Sequence, residues 1–501
     1  MSEFVLPPEN VLRPGVALCV DLDGTLTKSD TLHDSLLAML RQKPMNILQI
    51  PKWIAEGKAS FKRHITSSVE LDVEHLPYNR PLLEYLRMEH GRGRAIYLAT
   101  AADKTLADRV ANYIGIFAGT LASDGNINLA GGNKLAAFEQ HFGKGNFCYI
   151  GNAKPDAKLL AACEAPMIAN PHRALTARMK SAGTVAAARF DDQTPVLKSW
   201  LRAVRLHQWA KNVLLFIPLL LAHQVNAATV AGALTAFFSF GFCASATYII
   251  NDLLDIEADR RHPRKRRRPF AAGDLSMFSG FLNIGGLFLL SLLLAVALPH
   301  IVNAMPGNYT LSDPYSFLGW LALYTVATLT YSFYLKKKLL LDVFVLSGLY
   351  TVRLLTGSAA TGVPISPWLA GFSVFFFLSL AFVKRFSELE SLRERGGAIT
   401  NGRGYFVSDL EQLRALGTGA AYASVVVMAV YISNPETAQL YHHTGRLWLV
   451  VPVLLLWLSQ VWMLTSRGEM HDDPVVWACT DKRSLLLGVL MAAVVLWAMW
   501  P

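Results

Sequence analysis

The chain has 501 residues, 52% of them hydrophobic, and a formal net charge of +10; it is too long and too apolar to be one soluble domain. Its five cysteines (Cys19, Cys148, Cys163, Cys243 and Cys479) are scattered and form no CxxC pair, which argues against a disulfide framework or zinc site and fits a reducing compartment. The basic residues cluster in loops between apolar segments, as in cytoplasmic membrane loops, so no nucleic-acid partner is expected.

The opening "MSEFVLPPENVLRPG" lacks an apolar core of signal length, so the first part of the chain is expected to stay in the cytosol. Residues 1–195 read as a soluble mix of charge, Gly and short apolar runs. "RFDDQTPVLKSW" suits a linker, and the expected division is 1–195 and 196–501.

The first motif is "GVALCVDLDGTLTKSD", a buried-strand-like run that ends in D-x-D-G-T. It resembles the haloacid dehalogenase (HAD) phosphatase superfamily, and the resemblance covers roughly residues 15–190. It implies an α/β fold, a Rossmannoid parallel sheet with a helical cap from about Lys28 to Tyr78 that sets substrate choice. By that pattern Asp21 is the nucleophile, attacking phosphorus to form an aspartyl phosphate, and Asp23 is the acid and base. Thr100, ending "RAIYLAT", binds the phosphoryl oxygen; Lys134 in "GGNKLAAF" neutralises the pentavalent state; "YIGNAKPD" supplies the last acid, Asp156. The implied Mg²⁺ set is Asp21, Asp23 and Asp156, with a backbone carbonyl among the ligands. The superfamily's usual G-D-x-x-x-D reads Gly151-Asn152-Ala153-Lys154-Pro155-Asp156 here, so one ligand has become neutral. A domain that binds phosphates without hydrolysing them therefore stays open. The cap stretch "KPMNILQIPKWIAEGKASFKRHI" is basic and amphipathic enough to lie near lipid headgroups; a packed cap face explains the same pattern.

Beyond the linker, long apolar segments alternate with short polar loops. A spanning helix needs roughly 20 apolar residues, and about nine are expected: 211–224, 229–251, 277–299, 315–335, 339–361, 367–386, 413–433, 446–466 and 483–500. The first is short and holds Pro218, which predicts a tilted or partly unwound segment. The loops after even-numbered spans carry "RRHPRKRRR", "KKK" (336–338), "KRFSELESLRERGG" and "SRGEMHDDP…DKR", whereas "HIVNAMPGNYTLSD" and "TGVPIS" have no Lys or Arg. The positive-inside rule puts the basic loops on the cytosolic face of an inner, cytoplasmic membrane.

In "NDLLDIEAD", Asp252, Asp255 and Asp259 fall at i, i+3 and i+7, one face of a helix, with Asn251 beside them. Three carboxylates there repel unless a cation sits among them, and Mg²⁺ takes one or two carboxylates plus substrate phosphates. The spacing reads as a site for Mg²⁺ and diphosphate. The acids continue directly from the span "FFSFGFCASATYII", where charge is costly and usually functional. A second polar cluster, "KRFSELE", closes the sixth span on the same side.

The pattern N-D-x-x-D-x-x-x-D with these spans resembles the UbiA superfamily of intramembrane prenyltransferases. "LRAVRLHQWAKNVLLFIPLLLAH", "NDLLDIEADRRHPRKRRRPFAAGDLS", "LDVFVLSGLYTVRLLTGSAATGVPISPWL" and "AFVKRFSELE" are similar to its polyprenyl-phosphate phosphoribosyltransferase branch, over roughly residues 200–501. The resemblance implies an all-α membrane domain in which phosphoribosyl diphosphate donates its sugar phosphate to a polyprenyl phosphate, releasing diphosphate. Mg²⁺ on Asp252, Asp255 and Asp259 would neutralise the leaving group, with Asp252 and Asp255 in the catalytic role. A lipid phosphate is already an anion, so no strong general base is needed. Arg264 and Lys265, with Arg266, Arg267 and Arg268, would draw in the polyanionic donor. Lys384 and Arg385 would pair with phosphates, and Glu388 would take a metal or a ribose hydroxyl. Many superfamily members carry an aspartate-rich motif at this place; K-R-x-x-E suits a donor with an extra 5-phosphate. Lys211 and Asn212 in "HQWAKN" would reach the donor or lipid phosphate, and Tyr331 and Lys336 are further substrate contacts. Arg353 lies eleven residues beyond Asp342 in the fifth span, roughly 16 Å deeper at 1.5 Å per residue. It either anchors a lipid phosphate or pairs with a carboxylate.

The fusion suggests a transferase that makes a polyprenyl-phosphoryl 5-phosphoribose and a phosphatase that removes its 5-phosphate. Two rivals fit part of the pattern. One is transfer of a prenyl chain from prenyl diphosphate to an aromatic acceptor, since the acids read only diphosphate. The other is a non-enzymatic lipid-phosphate transporter with a phosphate-sensing domain. The residues do not speak to the oligomeric state.

Overall fold

The computed structural model describes residues 15–306, 311, 313–394, 396, 404–470, 474–478 and 480–500. The stretch read for a signal lies outside the described residues up to Pro14, as do Cys479 and residues 307–310, 312, 395, 397–403 and 471–473. The chain forms two compact units: Met1–Val204 with Ile249–Leu282, and Arg205–Tyr248 with Asn283–Pro501.

In the first unit six strands, β1 (Ala17–Val20), β2 (Ile96–Asp103), β3 (Gly119–Ser123), β4 (Phe147–Gly151), β5 (Pro166–Ala169) and β6 (Ala188–Phe190), form one sheet. Their order is β3-β2-β1-β4-β5-β6, and every pairing is parallel. A parallel sheet covered on both faces needs strands that are apolar throughout. "ALCV" and "FCYIG" satisfy this, and every residue of β1 and β4 is buried. Val20 lies beside Ile150, so both central strands end at one level. The strand order reverses there, and open α/β sheets bind ligands outside the carboxyl ends of strands at such a point.

Between β1 and β2, where a helical cap is expected, the chain is helical. Its helices include α1 (Thr31–Gln42), which Asp30 caps by accepting from the Leu32 and His33 amides, and α2 (Lys58–Ser68). Trp53 packs with Met39 and Ile65 into a small core, while Met45, Ile47, Leu48 and Ile54 stay exposed. The amphipathic stretch thus supplies one packed residue set and one solvent-facing apolar set.

Among the described residues, seven helices are long and apolar enough to cross a membrane: Ala227–Leu254 (α3), Met277–Asn303, Leu341–Thr361, Pro367–Arg393, Val407–Ser433, Thr444–Ser466 and Lys482–Met499. Two of the nine expected spans differ. The 211–224 segment is a 3₁₀ stretch, Leu206–Phe216, followed by the short helix Ile217–Leu221. Pro218, which lacks an N–H and fixes its own φ, sits in the first turn of that helix, where it is tolerated. The 315–335 segment is a helix over Ser316–Phe333 that is not among the seven. Cys19, Cys148, Cys163 and Cys243 are free thiols.

Candidate functional site

Asp21 and Asp23 follow β1, and Asn152 and Asp156 follow β4, so parallel pairing alone brings these segments together. The Asp21 amide donates to the Ile150 carbonyl (3.0 Å), continuing the ladder one residue past the strand. Lys134, near the start of the helix Gly132–Phe142, donates to Asp21 Oδ1 (2.8 Å) and Tyr149 Oη (3.0 Å). Tyr149 in turn donates to Asp156 Oδ1 (2.9 Å), and Asp156 Oδ2 accepts from the Asn152 and Ala153 amides at 3.1 and 2.9 Å. The result is a buried chain, Asp21–Lys134–Tyr149–Asp156. Tyr149 was not among the expected site residues; it reads as a core aromatic in "FCYIG", and only the inward turn of Lys134 gives it a role.

Thr100 is fully buried in β2 and lines the same cavity as Asp21. Asp23 accepts from both the amide and hydroxyl of Thr31 at 2.7 Å, which ties it to the start of α1. The loop between them leaves no room for a side chain. Gly24 has φ +73°, and a Cβ there would sit 2.0 Å from Asn152 Nδ2. The buried Asn152 therefore packs on the D-G-T turn.

Burial pushes the Asp21 carboxyl up to about 6; Lys134 opposes this and the charge of Asp156 adds to it. Burial, then the charge of Asp30, pushes Asp23 up to about 7 against its Thr31 hydrogen bonds. Burial works to lower the Lys134 ammonium, but Asp21 and Asp156 outweigh it and leave it raised. A group that titrates near neutrality suits proton transfer in both directions. Carboxylates this crowded, with a neutral Asn152 beside them, are oxygen donors that fit Mg²⁺, and the residues that would hold it are Asp21 and Asp156 with the backbone at Asp23.

The second acidic motif, at 251–259, also falls in the first unit. Helix α3 ends at Leu254, Asp255 has φ −97° and ψ 10°, and helix α4 runs over Ile256–Arg261. The turn is kept in step by the Asp255 amide donating to the Asn251 carbonyl and the Asp259 amide donating to the Asp255 carbonyl. Asp252 and Asp259, each 2% exposed, therefore face the same point. That point is occupied by Arg268, whose Nη1 lies 3.1 Å from Asp252 Oδ1 and 2.7 Å from Asp259 Oδ2. Burial pushes the Asp259 carboxyl up despite this partner. A cation, the Arg268 guanidinium, already bridges the two acids, so Mg²⁺ would have to displace it to bind there. Among the described residues, no three His, Cys, Asp or Glu side chains group as a metal site. Asp255, the middle acid, is half-buried at the break between the two helices.

Arg268 is thus drawn out of the basic run, while Arg264, Lys265, Arg266 and Arg267 stay exposed. No pattern in "RRHPRKRRR" distinguishes the residue that folds back. Arg260 and Arg261 also leave the loop, pairing with Asp34 (3.0 Å) and Asp72 (2.7 Å) of the cap.

In the second unit, Lys211, Asn212 and Arg353 come together. Arg353 Nε donates to Asn212 Oδ1 (3.3 Å) and Nη2 to Tyr324 Oη (3.0 Å). The guanidinium lies 4.9–5.5 Å from the ring centres of Tyr324, Phe240 and Tyr350. Lys211 Nζ stands 5.5 Å from the Tyr350 ring. Arg385 is placed otherwise than expected. It is fully buried, 2.6 Å from Asp342 and paired also with Glu388, while Tyr405 donates to the same Asp342. The two carboxylates pair a guanidinium that has no exposure, as a buried charge requires. Lys384, the neighbouring residue on the Pro367–Arg393 helix, is half-buried. Tyr331 and Lys336, at the end of Ser316–Phe333 and in the turn after it, are half-buried as well.

Several known proteins are similar to this chain. The "Uncharacterized protein y4nM" of Sinorhizobium fredii is 35% identical over 96% of this chain and 91% of its own length, so the alignment runs through both halves. The "Decaprenyl-phosphate phosphoribosyltransferase" of Mycobacterium tuberculosis is 30% identical over 59% of this chain and 92% of its own. Among solved structures, a UbiA homolog from Archaeoglobus fulgidus bound to GPP and Mg²⁺ is 15% identical, with a TM-score of 0.45 over 60% of this chain and 99% of that one. A phospho-aspartyl intermediate analogue of phosphoserine phosphatase is 13% identical, with a TM-score of 0.24 over 33% of this chain and 91% of that one. The family model described as the UbiA prenyltransferase family matches residues 213–480, more than half of the chain, and the protein belongs to that family.

Proposed function

We propose that the protein is a bifunctional membrane enzyme. Residues 196–501 transfer 5-phosphoribose from phosphoribosyl diphosphate to a polyprenyl phosphate, and residues 1–195 remove the 5-phosphate from the product. The observation that carries the reading is the convergence of Asp252 and Asp259 on one cation, with four exposed basic residues immediately before that cation. Such a site suits a polyanion with a diphosphate at one end. The named function of the mycobacterial relative, whose length is covered almost entirely, supports phosphoribose over other diphosphate esters. The positive-inside rule places these loops and the sheet-bearing unit on the cytosolic side.

In the transfer, an oxygen of the lipid phosphate attacks C1 of ribose, the C1–oxygen bond to diphosphate breaks, and diphosphate leaves with the bonding electrons. Asp252, Asp255 and Asp259 would hold Mg²⁺, which when bound neutralises charge on that leaving group. Lys211, Asn212 and Arg353 would bind the acceptor phosphate, and Arg264 and Lys265 the donor. In the hydrolysis, a carboxylate oxygen of Asp21 attacks phosphorus and the phosphorus–O5 bond breaks. Asp23 gives its proton to the departing O5, which leaves as the ribose hydroxyl. Water then attacks the aspartyl phosphate, gives its proton to Asp23 and releases phosphate. Lys134 remains beside Asp21 throughout and offsets the negative charge.

Purified protein with labelled phosphoribosyl diphosphate, Mg²⁺ and a polyprenyl phosphate should release diphosphate, and Asp252→Ala should abolish the release. Diphosphate released instead from a prenyl diphosphate plus an aromatic acceptor would replace this reading with prenyl transfer. Binding without turnover would replace it with a carrier.

A further inference from the structure

The cavity over Asp21, about 650 Å³, is not walled by the phosphatase-like segment alone. Its floor carries Asp21, Asp23, Lys134 and Asp156. Facing it is the segment from Phe270 to Phe278, which follows the basic run and lies within the stretch that the UbiA family model matches. Several contacts fix this segment in place. Asp274 lies 3.6 Å from Lys28 and accepts from the Thr194 amide (3.4 Å). Arg260, held by Asp34, donates from Nε to the Ala271 carbonyl (3.2 Å). Gly273 has φ +73°, and a Cβ there would meet Lys28 Cβ at 2.8 Å, so the approach is one that only glycine allows.

The wall sets apolar surface, beside Asp274 and Ser276, against the charged floor. It presents Leu275, Met277 and Phe278, with Val196 beside them. Met277 and Phe278 open a helix, Met277–Asn303, long and apolar enough to cross a membrane, and Phe278 is 70% exposed. The cavity therefore runs from a phosphate-handling floor to a surface continuous with a spanning helix. A free sugar phosphate is polar all round and would leave the apolar wall without a partner. A sugar phosphate still joined to a polyprenyl phosphate would occupy both ends.

We propose that the 270–278 segment is the specificity wall of the phosphatase and that Phe278 selects lipid-linked sugar phosphates over soluble ones. This rests on the reading of the Asp21 site as a phosphate-ester hydrolase and adds to it the segment and side chain that select the lipid-linked substrate.

The test uses the full chain in detergent with Mg²⁺ and two substrates, a micellar polyprenyl-phosphoryl 5-phosphoribose and ribose 5-phosphate. Phosphate release gives kcat/KM for each. The wild type prefers the lipid-linked substrate, and in Phe278→Ala that preference falls on the order of tenfold, the scale of one apolar side-chain contact, through a higher KM. Phe278→Leu, which keeps most of the apolar surface, restores most of it. A preference in Phe278→Ala within about twofold of wild type, or a wild type that favours ribose 5-phosphate, overturns the inference and leaves the hydrolase reading standing. A wild type that releases phosphate from neither substrate refutes the hydrolase reading, and the inference goes with it.

Discussion

Asp34→Ala removes the carboxylate that faces Arg260 at 3.0 Å, in a place where the two side chains are 1% and 4% exposed. The guanidinium keeps its hydrogen bond to the Ala271 carbonyl and is otherwise left as a buried cation without its carboxylate. Breaking a buried ion pair from one side costs about 3–5 kcal/mol. For a unit of about 200 residues, each kcal/mol moves the melting temperature by about 2–4 °C, so a fall on the order of 10 °C is expected. Replacing both partners, Asp34→Leu with Arg260→Met, removes the charges together and should recover most of the loss. Thermal unfolding of the full chain in detergent can be followed with a thiol-reactive dye, because Cys19 and Cys148 are fully buried in the sheet and react only as it opens. The variants also have a functional readout: α4 carries both Arg260 and Asp259, so a loosened α4 should raise the KM for phosphoribosyl diphosphate. Equal melting temperatures for wild type and Asp34→Ala would refute the reasoning. So would a double variant whose loss equals the sum of the single ones, since contacting partners must show a coupling energy.

Asp252→Asn and Asp259→Asn should each lower diphosphate release by roughly 10²–10³-fold, the scale for losing one electrostatic stabiliser of a transition state; labelled phosphoribosyl diphosphate reports it. Gly24→Ala should abolish phosphate release while the protein still folds, because the new methyl would drive into Asn152 and displace the turn that carries Asp23; circular dichroism separates the two effects. Asp21→Asn should accumulate lipid-linked 5-phosphoribose, seen by lipid mass, where the wild type yields the dephosphorylated form. Chelation with EDTA should stop both reactions, and added Mg²⁺ should restore them.

Much of the first unit was legible because its signals are local. A run of four buried apolar residues before D-x-D-G-T specifies a strand that ends in a loop, and Asp21 lies where such a strand must end. The i, i+7 spacing of Asp252 and Asp259 likewise survives the break at Asp255, because two backbone hydrogen bonds carry the helical phase across it. Span counting was reliable for long apolar helices and failed at 211–224, where Pro218 and a 3₁₀ stretch replace a continuous helix.

The remaining features depend on which distant segments meet. Nothing local separates Arg268, which bridges the acids, from Arg267, which stays exposed. Lys384 and Arg385 look equivalent in "VKRF", yet helical rotation points one into a fully buried pair with Asp342 and leaves its neighbour half-buried. Composition, span pattern and the spacing of the two acidic motifs were determined by the sequence itself, since each depends on residues within a few turns of one another. The linking of Tyr149 to Lys134 and Asp156, the pairing of Arg260 with Asp34 and the place of Phe278 in the wall of the cavity over Asp21 were decided only by the tertiary structure. Each joins residues far apart in the chain, and the burial that makes such contacts strong exists only once the chain has folded.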